Sequence, residues 1–350
     1  MPDLILRRPE GLYCPAGDFY IDPWRPVDRA VITHAHADHS RWGHRHYLAQ
    51  RRAESLMRLR LGDIDFQGLA YEERLQIGSA TVSLHPAGHV LGSAQVRVEV
   101  AGEVWVASGD YFVSGTEDRN ATCEAFEPVR CDTFITESTF GLPIYRWEPQ
   151  CRTMAGINAW WSSNRAEGRG SLLLAYSLGK AQRLLAGLDD DIGPIYLHPA
   201  AERMTQAYRE AGVALPAARL LDGGIDRKDL SRAMIIAPPA VHGSAWTRRL
   251  GEHGDAFASG WMRLRGARRR RGVDRGFVLS DHADWPGLLK AIAATGAGRV
   301  IVTHGYEAVM TRWLQQQGLQ ASPLDTEYGD DVIEDDSPPP DEPPGASPGP

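Results

Sequence analysis

A dense group of metal-binding side chains lies near the start of the chain. Residues 34–39 read His-Ala-His-Ala-Asp-His and directly follow the apolar run Ala30-Val31-Ile32-Thr33. Imidazole and carboxylate are the ligands expected for Zn²⁺ and similar divalent ions. A strand that ends in such a loop can aim His34 and His36 at one ion, and Asp38 and His39 at a second. The motif therefore favours a two-metal site over a run of surface histidines.

The excess negative charge of the chain is concentrated in its last residues. The 350 residues carry 45 acidic and 38 basic side chains, for a net charge of −7. Seven of the acids lie in residues 330–350, which hold no Lys or Arg and are rich in proline, so we expect a disordered acidic tail. Because the other 38 acids balance the 38 bases, the body is neutral and can still carry a basic groove for nucleic acid.

Composition also bears on the compartment. The four cysteines show no CxxC spacing, which is typical of reduced thiols rather than of a disulfide framework. No apolar run is long enough to span a membrane, and the first eight residues lack the apolar stretch of a signal peptide. These features predict a cytoplasmic protein that does not bind membranes.

The pattern of strands and helices changes along the chain. Residues 14–140 read as strands with short turns, whereas residues 142–275 alternate between helices and apolar strands. Each candidate ligand follows the end of a predicted strand, and layered α/β folds gather strand ends at one edge, where sites are built. These candidates are Asp22, the 34–39 group, His89, Asp110, Glu137, His282 and His304.

The candidates can supply what phosphodiester hydrolysis needs. Two divalent ions, Zn²⁺ or Mn²⁺, activate water and neutralise the charge of the transition state. The expected ligands are His34, His36 and His89 for the first ion, Asp38, His39 and His304 for the second, and Asp110 as a bridge between them. Asp22 is expected to orient a ligand or the attacking water from the next shell of contacts.

Glu137 and His282 remain as a pair outside the ligand set. A carboxylate beside an imidazole holds its orientation and favours its charged form, so His282 is the candidate general acid for the leaving oxygen. Asp281 and Asp284 flank His282 and could play the same orienting part. We therefore expect His282, Glu137, Asp22 and Asp38 to take part in catalysis.

Basic and polar segments offer weaker candidates for nucleic-acid contacts. Arg263 and Arg265 lead into the run Arg268, Arg269, Arg270 and Arg271, which can contact phosphates. Ser177 and Lys180 lie at a predicted strand-to-helix junction, where phosphate can bind. The remaining histidines are expected to be solvated or structural: His44, His46, His85, His198, His242 and His253.

The motifs, in this order, resemble those of the metallo-β-lactamase superfamily. The match rests on residues 34–39, His89 and Ser108-Gly109-Asp110. The segments around Glu137, His282 and His304 look like motifs A, B and C of its β-CASP nucleases. In that family motif A pairs with the motif B histidine, and motif C supplies a ligand to the second metal.

The resemblance implies an α/β fold, with an αββα metallo-β-lactamase sandwich and an inserted α/β β-CASP cap domain. The sandwich would comprise residues 1–141 and 276–329, and the cap residues 142–275, with a tail over residues 330–350. Residues 11–28, 176–182 and 280–285 further resemble the bacterial ligase-associated DNA-damage-response exonucleases. That resemblance implies an ATP-dependent DNA ligase and a helicase as partners.

We therefore expect a metal-dependent DNA exonuclease in DNA repair, in which a metal-activated hydroxide attacks phosphorus and His282 protonates the leaving oxygen. The alternative is a β-CASP ribonuclease in RNA processing, because histidine at motif C, as at His304, is typical of RNA-processing members. A metal-free nucleic-acid-binding scaffold is disfavoured by the complete ligand set. Hydrolysis of a small thioester or lactam is disfavoured by the motifs around Glu137 and His282.

Overall fold

Three β-sheets and the helices between them make up the part of the chain that the structure describes, so the protein is of the mixed α/β class. The structure is a computed structural model that describes residues 3–113, 121–222, 226–266 and 272–327. The acidic tail and the run Arg268–Arg271 lie outside these residues. No helix in these ranges has both the length and the apolar character needed to cross a membrane.

The first two sheets are built from the two ends of the chain. The first has strand order β1 to β6, and the second has the order β19-β18-β11-β10-β9-β8-β7. The strands of the first are β1 Leu6–Arg8, β2 Gly11–Cys14, β3 Phe19–Ile21, β4 Arg29–Ile32, β5 His46–Gln50 and β6 Phe66–Leu69. Those of the second are β7 Arg74–Ile77, β8 Ala80–Pro86, β9 Ala94–Val100, β10 Glu103–Ala107, β11 Thr133–Ser138, β18 Arg299–Gly305 and β19 Gln320–Pro323.

The third sheet is entirely parallel, with the order β14-β13-β15-β12-β16-β17. Its strands are β12 Gly170–Leu174, β13 Ile195–Leu197, β14 Arg219–Leu220, β15 Met234–Ala237, β16 His253–Ala258 and β17 Arg275–Phe277. The central strands are continuous apolar runs because both faces of such a sheet are covered. The third sheet lies in sequence between β11 and β18, which are parallel neighbours in the second sheet.

The longer helices alternate with these strands. They are α1 Glu54–Leu61, α2 Gln150–Ala166, α3 Lys180–Leu185, α4 Pro199–Glu210, α5 Arg227–Leu230, α6 Ala245–Arg248, α7 Trp285–Thr295 and α8 Glu307–Gln316. α1 lies in a stretch predicted to hold strands, so that prediction was wrong there. Its i,i+4 ion pair, Glu54 to Arg58 at 3.0 Å, is a helical signal.

The first and second sheets pack face to face. Phe19 and Val31 of the first sheet share one hydrophobic cluster with Val82, Val96 and Trp105 of the second. Successive side chains of a strand point to opposite faces of its sheet, so each strand places one set of its side chains in this core. The edge at which β3, β4 and β10 end is therefore flanked by both sheets.

Helices cover the outer faces of these two sheets. α1 packs on the first sheet through Leu56 and Met57, and Tyr208 of α4 joins the same cluster. α7 and α8 pack on the second sheet through Leu288 and Leu314. Tyr208 also accepts a hydrogen bond from the backbone N–H of Leu91 at 3.1 Å, so the third-sheet region contacts the loop that carries His89.

Two candidate residues lie within strands and not beyond their ends as predicted. Glu137 is in β11, and His304 is in β18. The two strands pair with each other as far as Ser138 and Gly305, which extends both by a few residues. His304 has a φ of +53°, so its backbone is left-handed and the strand bends at that residue.

Candidate metal and catalytic centre

Asp22 anchors the start of the centre. It follows β3, and the 34–39 group follows β4; because these strands are parallel neighbours, both segments leave the sheet at the same edge. Asp22 has a φ of +41°, a conformation that Asp tolerates better than most residues. Its carboxylate accepts hydrogen bonds from the Thr33 backbone N–H at 2.8 Å and from the Thr33 hydroxyl at 2.5 Å.

These contacts fix two histidine rings. His39 Nδ1 lies 2.7 Å from Oδ2 of Asp22, and His34 Nδ1 lies 3.0 Å from Oγ1 of Thr33. Since the Thr33 hydroxyl already donates to Asp22, its oxygen is the acceptor toward His34. In the neutral rings the Nδ1 atoms of His34 and His39 are therefore the protonated ones, which leaves a lone pair on each Nε2.

The rings of His36 and His89 are fixed in the same way by backbone carbonyls. His36 Nε2 faces the oxygen of Leu178 at 3.3 Å, and His89 Nδ1 faces the oxygen of Asp281 at 2.8 Å. A carbonyl oxygen can only accept, so these nitrogens carry the protons. The lone pairs are then on His36 Nδ1 and His89 Nε2, which face each other at 3.0 Å.

Asp110 lies where these lone pairs converge. Its Oδ2 is 3.4 Å from His34 Nε2, 3.5 Å from His39 Nε2 and 3.8 Å from His89 Nε2. Asp38 Oδ2 is also 3.5 Å from His39 Nε2. Gly109 allows this approach, because it has a φ of +55° and a Cβ there would lie 2.6 Å from Cβ of Thr33.

Burial and the carboxylates set the charge of this cluster. Burial lowers the pKa of His36 to about 4, and it also lowers the pKa of His34 and His89. Burial opposes a charge on His39 as well, but the Asp110, Asp38 and Asp22 carboxylates outweigh it and raise the pKa of that ring to about 10. Burial raises the pKa of Asp110 to about 7. The cluster therefore favours a positive charge at its centre.

The donor set fits divalent metal ions. The inward-facing nitrogens of neutral His34, His36 and His89 are hydrogen-bond acceptors, as are the ionised carboxylates of Asp38 and Asp110. His39, with its raised pKa, keeps a proton on Nε2 that a bound metal ion would displace. His34 Nε2 is buried without a hydrogen-bond partner among the described residues. Four groups of described residues have ligand atoms within 4.8 Å of one another. They are His34, His36, His89 and Asp110; His34, Asp38 and His39; His89, Asp281 and His282; and Asp110, Glu137 and His282.

His304 lies at the margin of this cluster. Its ring centroid is 6.5 Å from that of His39. The two rings line one small cavity together with Asp22, Asp110 and Glu137. His304 is buried on the same side as the other candidates, although it belongs to none of the four close groups.

Glu137 and His282 are in contact, next to the ligand cluster. His282 Nδ1 lies 3.0 Å from Oε2 and 3.2 Å from Oε1 of Glu137, and the backbone N–H of Tyr111 donates to Oε1 at 2.7 Å. Burial raises the pKa of Glu137, but the His282 imidazole outweighs it and holds that pKa below its usual value. The rings of His89 and His282 are 4.6 Å apart, so this pair borders the ligand set.

The two acids that flank His282 have other contacts. Asp281 Oδ1 lies 2.9 Å from Nζ of Lys180, which is buried. Burial raises the pKa of Asp281, but Lys180 and the nearby histidines outweigh it and hold that pKa below its usual range. Asp284 caps α7 by accepting from the Gly287 N–H at 2.9 Å.

The structure also locates the weaker candidates. Ser177 is buried near Lys180, and the prediction that they contact phosphate stays a prediction. Arg263 and Arg265 are exposed. The remaining histidines contact protein groups; His198, for example, caps α4 by accepting from the Ala200 N–H at 3.1 Å.

Sequence reasoning missed several groups that hold the rings. They are the Thr33 hydroxyl, the carbonyl oxygens of Leu178 and Asp281, and the Lys180 side chain as the partner of Asp281. The position of Thr33 beside His34 is a local signal for the first. The others depend on contacts between distant segments, for which the sequence carries no spacing signal.

Comparisons relate the chain to nucleic-acid enzymes. A probable DNA ligase of Opitutus terrae is 33% identical over 315 residues, which are 89% of this chain and 30% of that protein. Endoribonuclease YSH1 of Gibberella zeae is 35% identical over 127 residues, 35% of this chain and 14% of that protein. Cleavage and polyadenylation specificity factor subunit 3 of Dictyostelium discoideum is 32% identical over 123 residues, 34% of this chain and 15% of that protein.

The chain thus spans less than a third of the length of these relatives. No protein-family model matches it. Among solved structures, a protein of unknown function from Enterococcus faecalis has a TM-score of 0.56 at 12% identity, covering 86% of this chain and 79% of that one, which shows a shared fold. The chain is therefore similar to nucleases over part of its length, and its His and Asp groups can bind metal.

Proposed function

We propose that this chain is a two-metal nuclease of the metallo-β-lactamase fold, with residues 142–275 as a β-CASP cap, and that it acts on DNA as an exonuclease. The observation that carries the proposal is the convergence of acceptor atoms from His34, His36, His39 and His89 on Asp110. The contact between His282 and Glu137 supplies a proton donor beside them.

The metal sites would use the predicted ligands. His34, His36 and His89 would hold one ion, Asp38, His39 and His304 a second, and Asp110 would bridge them. When bound, divalent ions neutralise the negative charge of the phosphodiester and activate water for attack. Asp22 would hold the Nδ1–H of His39 and so direct its Nε2 lone pair to the ion.

The proton balance involves His282. As water attacks phosphorus it releases one proton to solvent. The bond from phosphorus to the leaving oxygen breaks, and that oxygen takes the proton from Nε2 of the His282 imidazolium. The ionised Glu137 accepts from Nδ1 at 3.0 Å, so it stabilises the positive charge on the ring before transfer and fixes its orientation. His282 is left neutral and regains a proton from solvent.

Similarity over 89% of the chain to a probable DNA ligase supports DNA as the substrate and a ligase as the partner activity in repair. The endoribonucleases match about a third of the chain, and they support RNA as the second candidate. We expect a helicase as a further partner from the same resemblance to ligase-associated exonucleases.

A cleavage assay tests these proposals together. Single-stranded DNA, duplex DNA and RNA, labelled at either end, are incubated with the full chain and Zn²⁺, Mn²⁺ or a chelator. We expect stepwise shortening of DNA that depends on the metal. Preferred cleavage of RNA would establish the second candidate instead, and cleavage in chelator would refute the two-metal mechanism.

A further inference from the structure

A group of aromatic side chains lies beside the proposed proton donor. Phe140 and Tyr145 are buried, with ring centroids 4.8 Å apart. Trp147 and Trp261 each lie 4.8 Å from Phe140, and Tyr306 lies 6.0 Å from Tyr145. Trp147, Trp261 and Tyr306 are half-buried, so part of each side chain faces solvent. We refer to these three residues as the aromatic wall.

The aromatic wall adjoins the catalytic pair through direct contacts. Trp147 Nε1 donates to the carbonyl oxygen of His282 at 2.9 Å, and the Phe140 and His282 rings are 6.1 Å apart. Tyr306 follows His304 by two residues. Trp261 comes from the turn after β16 of the third sheet. The wall therefore lies where the second and third sheets meet, next to His282.

Exposed arginines flank the aromatic wall. Arg146 precedes Trp147, and Arg263 follows Trp261 by two residues. The Arg263 Nε donates to the carbonyl oxygen of Ile144 at 3.3 Å, which places Arg263 near the chain segment that carries Trp147. Half-exposed rings with guanidinium groups around them are typical of surfaces that stack unpaired bases and contact the backbone between them.

We propose that the aromatic wall is a stacking subsite for an unpaired nucleobase of the strand that is cut. A base inside a duplex has both faces covered by its neighbours, so the wall selects single-stranded segments or frayed ends. This inference rests on the proposed nuclease function and adds its substrate class. Trp147 is hydrogen-bonded to the backbone of His282. A base stacked on the aromatic wall would therefore keep the adjoining phosphate near the proton donor.

Binding measured without turnover tests the subsite. The full chain is titrated in chelator with a fluorescent single-stranded oligonucleotide, and Kd is obtained from anisotropy. We expect Trp261→Ala to weaken binding roughly 5- to 100-fold, and Trp261→Phe to stay close to wild type. Trp313→Ala is the matched control, since Trp313 is also half-buried but packs on Trp285 in the outer helical layer, at 5.3 Å.

Abasic oligonucleotides separate base stacking from phosphate contacts. Each nucleotide near the two ends is replaced in turn by an abasic one. At one position the missing base should weaken binding to the wild type by a factor similar to that of Trp261→Ala. The same missing base should not weaken binding to the Trp261→Ala variant any further. A blunt hairpin duplex should bind more weakly than the single strand. Two results would overturn the inference. One is that Trp261→Ala weakens the binding of every abasic oligonucleotide as much as it weakens the binding of the intact one. The other is that the duplex binds more tightly than the single strand. If thermal melting shows that Trp261→Ala is unfolded, Tyr306→Ala takes its place in the same comparison.

Failure of the stacking subsite can be distinguished from failure of the proposed nuclease function. If the wild type cleaves nucleic acid but Trp261→Ala and Tyr306→Ala bind as tightly as wild type, the subsite is wrong and the nuclease stands. If no cation supports cleavage but binding shows the aromatic and abasic dependence, the nuclease is wrong and the subsite stands.

Discussion

Nζ of Lys180 lies 2.9 Å from Oδ1 of Asp281, and both side chains are buried. Lys180 begins α3 in the third-sheet region, and Asp281 precedes His282. The Asp281 carbonyl oxygen in turn accepts from the His89 ring at 2.8 Å. The ion pair therefore links the third-sheet region to the orientation of a proposed metal ligand.

Lys180→Met should destabilise the fold by about 3–5 kcal/mol, because it leaves the Asp281 carboxylate buried without its partner. Urea unfolding measures this loss. The double variant Lys180→Met with Asp281→Asn should recover most of the stability, because no uncompensated charge remains. If the two single losses simply add in the double variant, the ion pair contributes nothing of its own.

Asp22→Asn should weaken metal binding roughly 10- to 100-fold and leave the fold intact. Asn tolerates the left-handed backbone at this position, and its amide oxygen can still accept from Thr33. The amide group of Asn replaces Oδ2 of Asp22, the oxygen that fixes the ring of His39 in the wild type. Competition with a metal-binding dye measures the affinity, and an unchanged value would remove the orienting role from Asp22.

His282→Ala should slow cleavage by about 10²- to 10⁴-fold and change nucleic-acid binding little. The loss should shrink on a nitrophenyl phosphodiester, whose leaving oxygen needs no proton. Cleavage rates of the two substrates are compared for wild type and variant. Equal losses on both substrates would mean that His282 does not act as the proton donor.

His36→Ala and Asp110→Ala should each abolish hydrolysis with the fold intact, and each should lower the metal content of the purified protein. Both side chains belong to the group of His34, His36, His89 and Asp110, whose ligand atoms lie within 4.8 Å of one another. Elemental analysis gives the metal content, and circular dichroism reports on the fold. His85→Ala is the control, because the His85 ring contacts Ser83, at 3.0 Å, on β8. Full metal content with either ligand variant would contradict the assignment.

His253 should make part of the stability depend on pH. The Asp255 carboxylate, at 3.0 Å from Nε2, raises the pKa of His253 above its usual value. Because the pKa of His253 is higher in the folded than in the unfolded chain, its ion pair stabilises the fold fully at pH values below the unfolded pKa, near 6.5. That stabilisation is lost as the pH rises through the folded pKa. His242 and Asp274 face the same groups.

The measurement compares urea unfolding at pH 6 and pH 9 for wild type and His253→Gln. Between pH 6 and pH 9 the free energy of unfolding of the wild type should fall by a few tenths to about 1 kcal/mol more than that of the variant, as for a partly exposed ion pair. Parallel pH profiles for the two proteins would show that the imidazolium makes no stabilising contact.

The parts of the centre that the sequence reveals are those that depend on local spacing. His34, His36, Asp38 and His39 stand within one loop, so their types and spacing alone indicate metal ligands. Glu137 and His282 are 145 residues apart, and their contact could be expected only from the resemblance to β-CASP motifs. The Lys180–Asp281 pair and the aromatic wall depend on packing between the second and third sheets. No periodicity in the sequence encodes that packing.

The parallel pairing of β11 with β18 has a consequence for synthesis of the protein. β11 ends at Ser138, and its neighbour β18 begins at Arg299, so the ribosome makes the entire third sheet before the second sheet can gain its next strand. Until then β11 presents an unpaired edge, the kind of surface on which nascent chains aggregate. His282 and His304 also emerge late, so a growing chain can carry the His34–His39 loop for most of its synthesis before the proposed centre is complete.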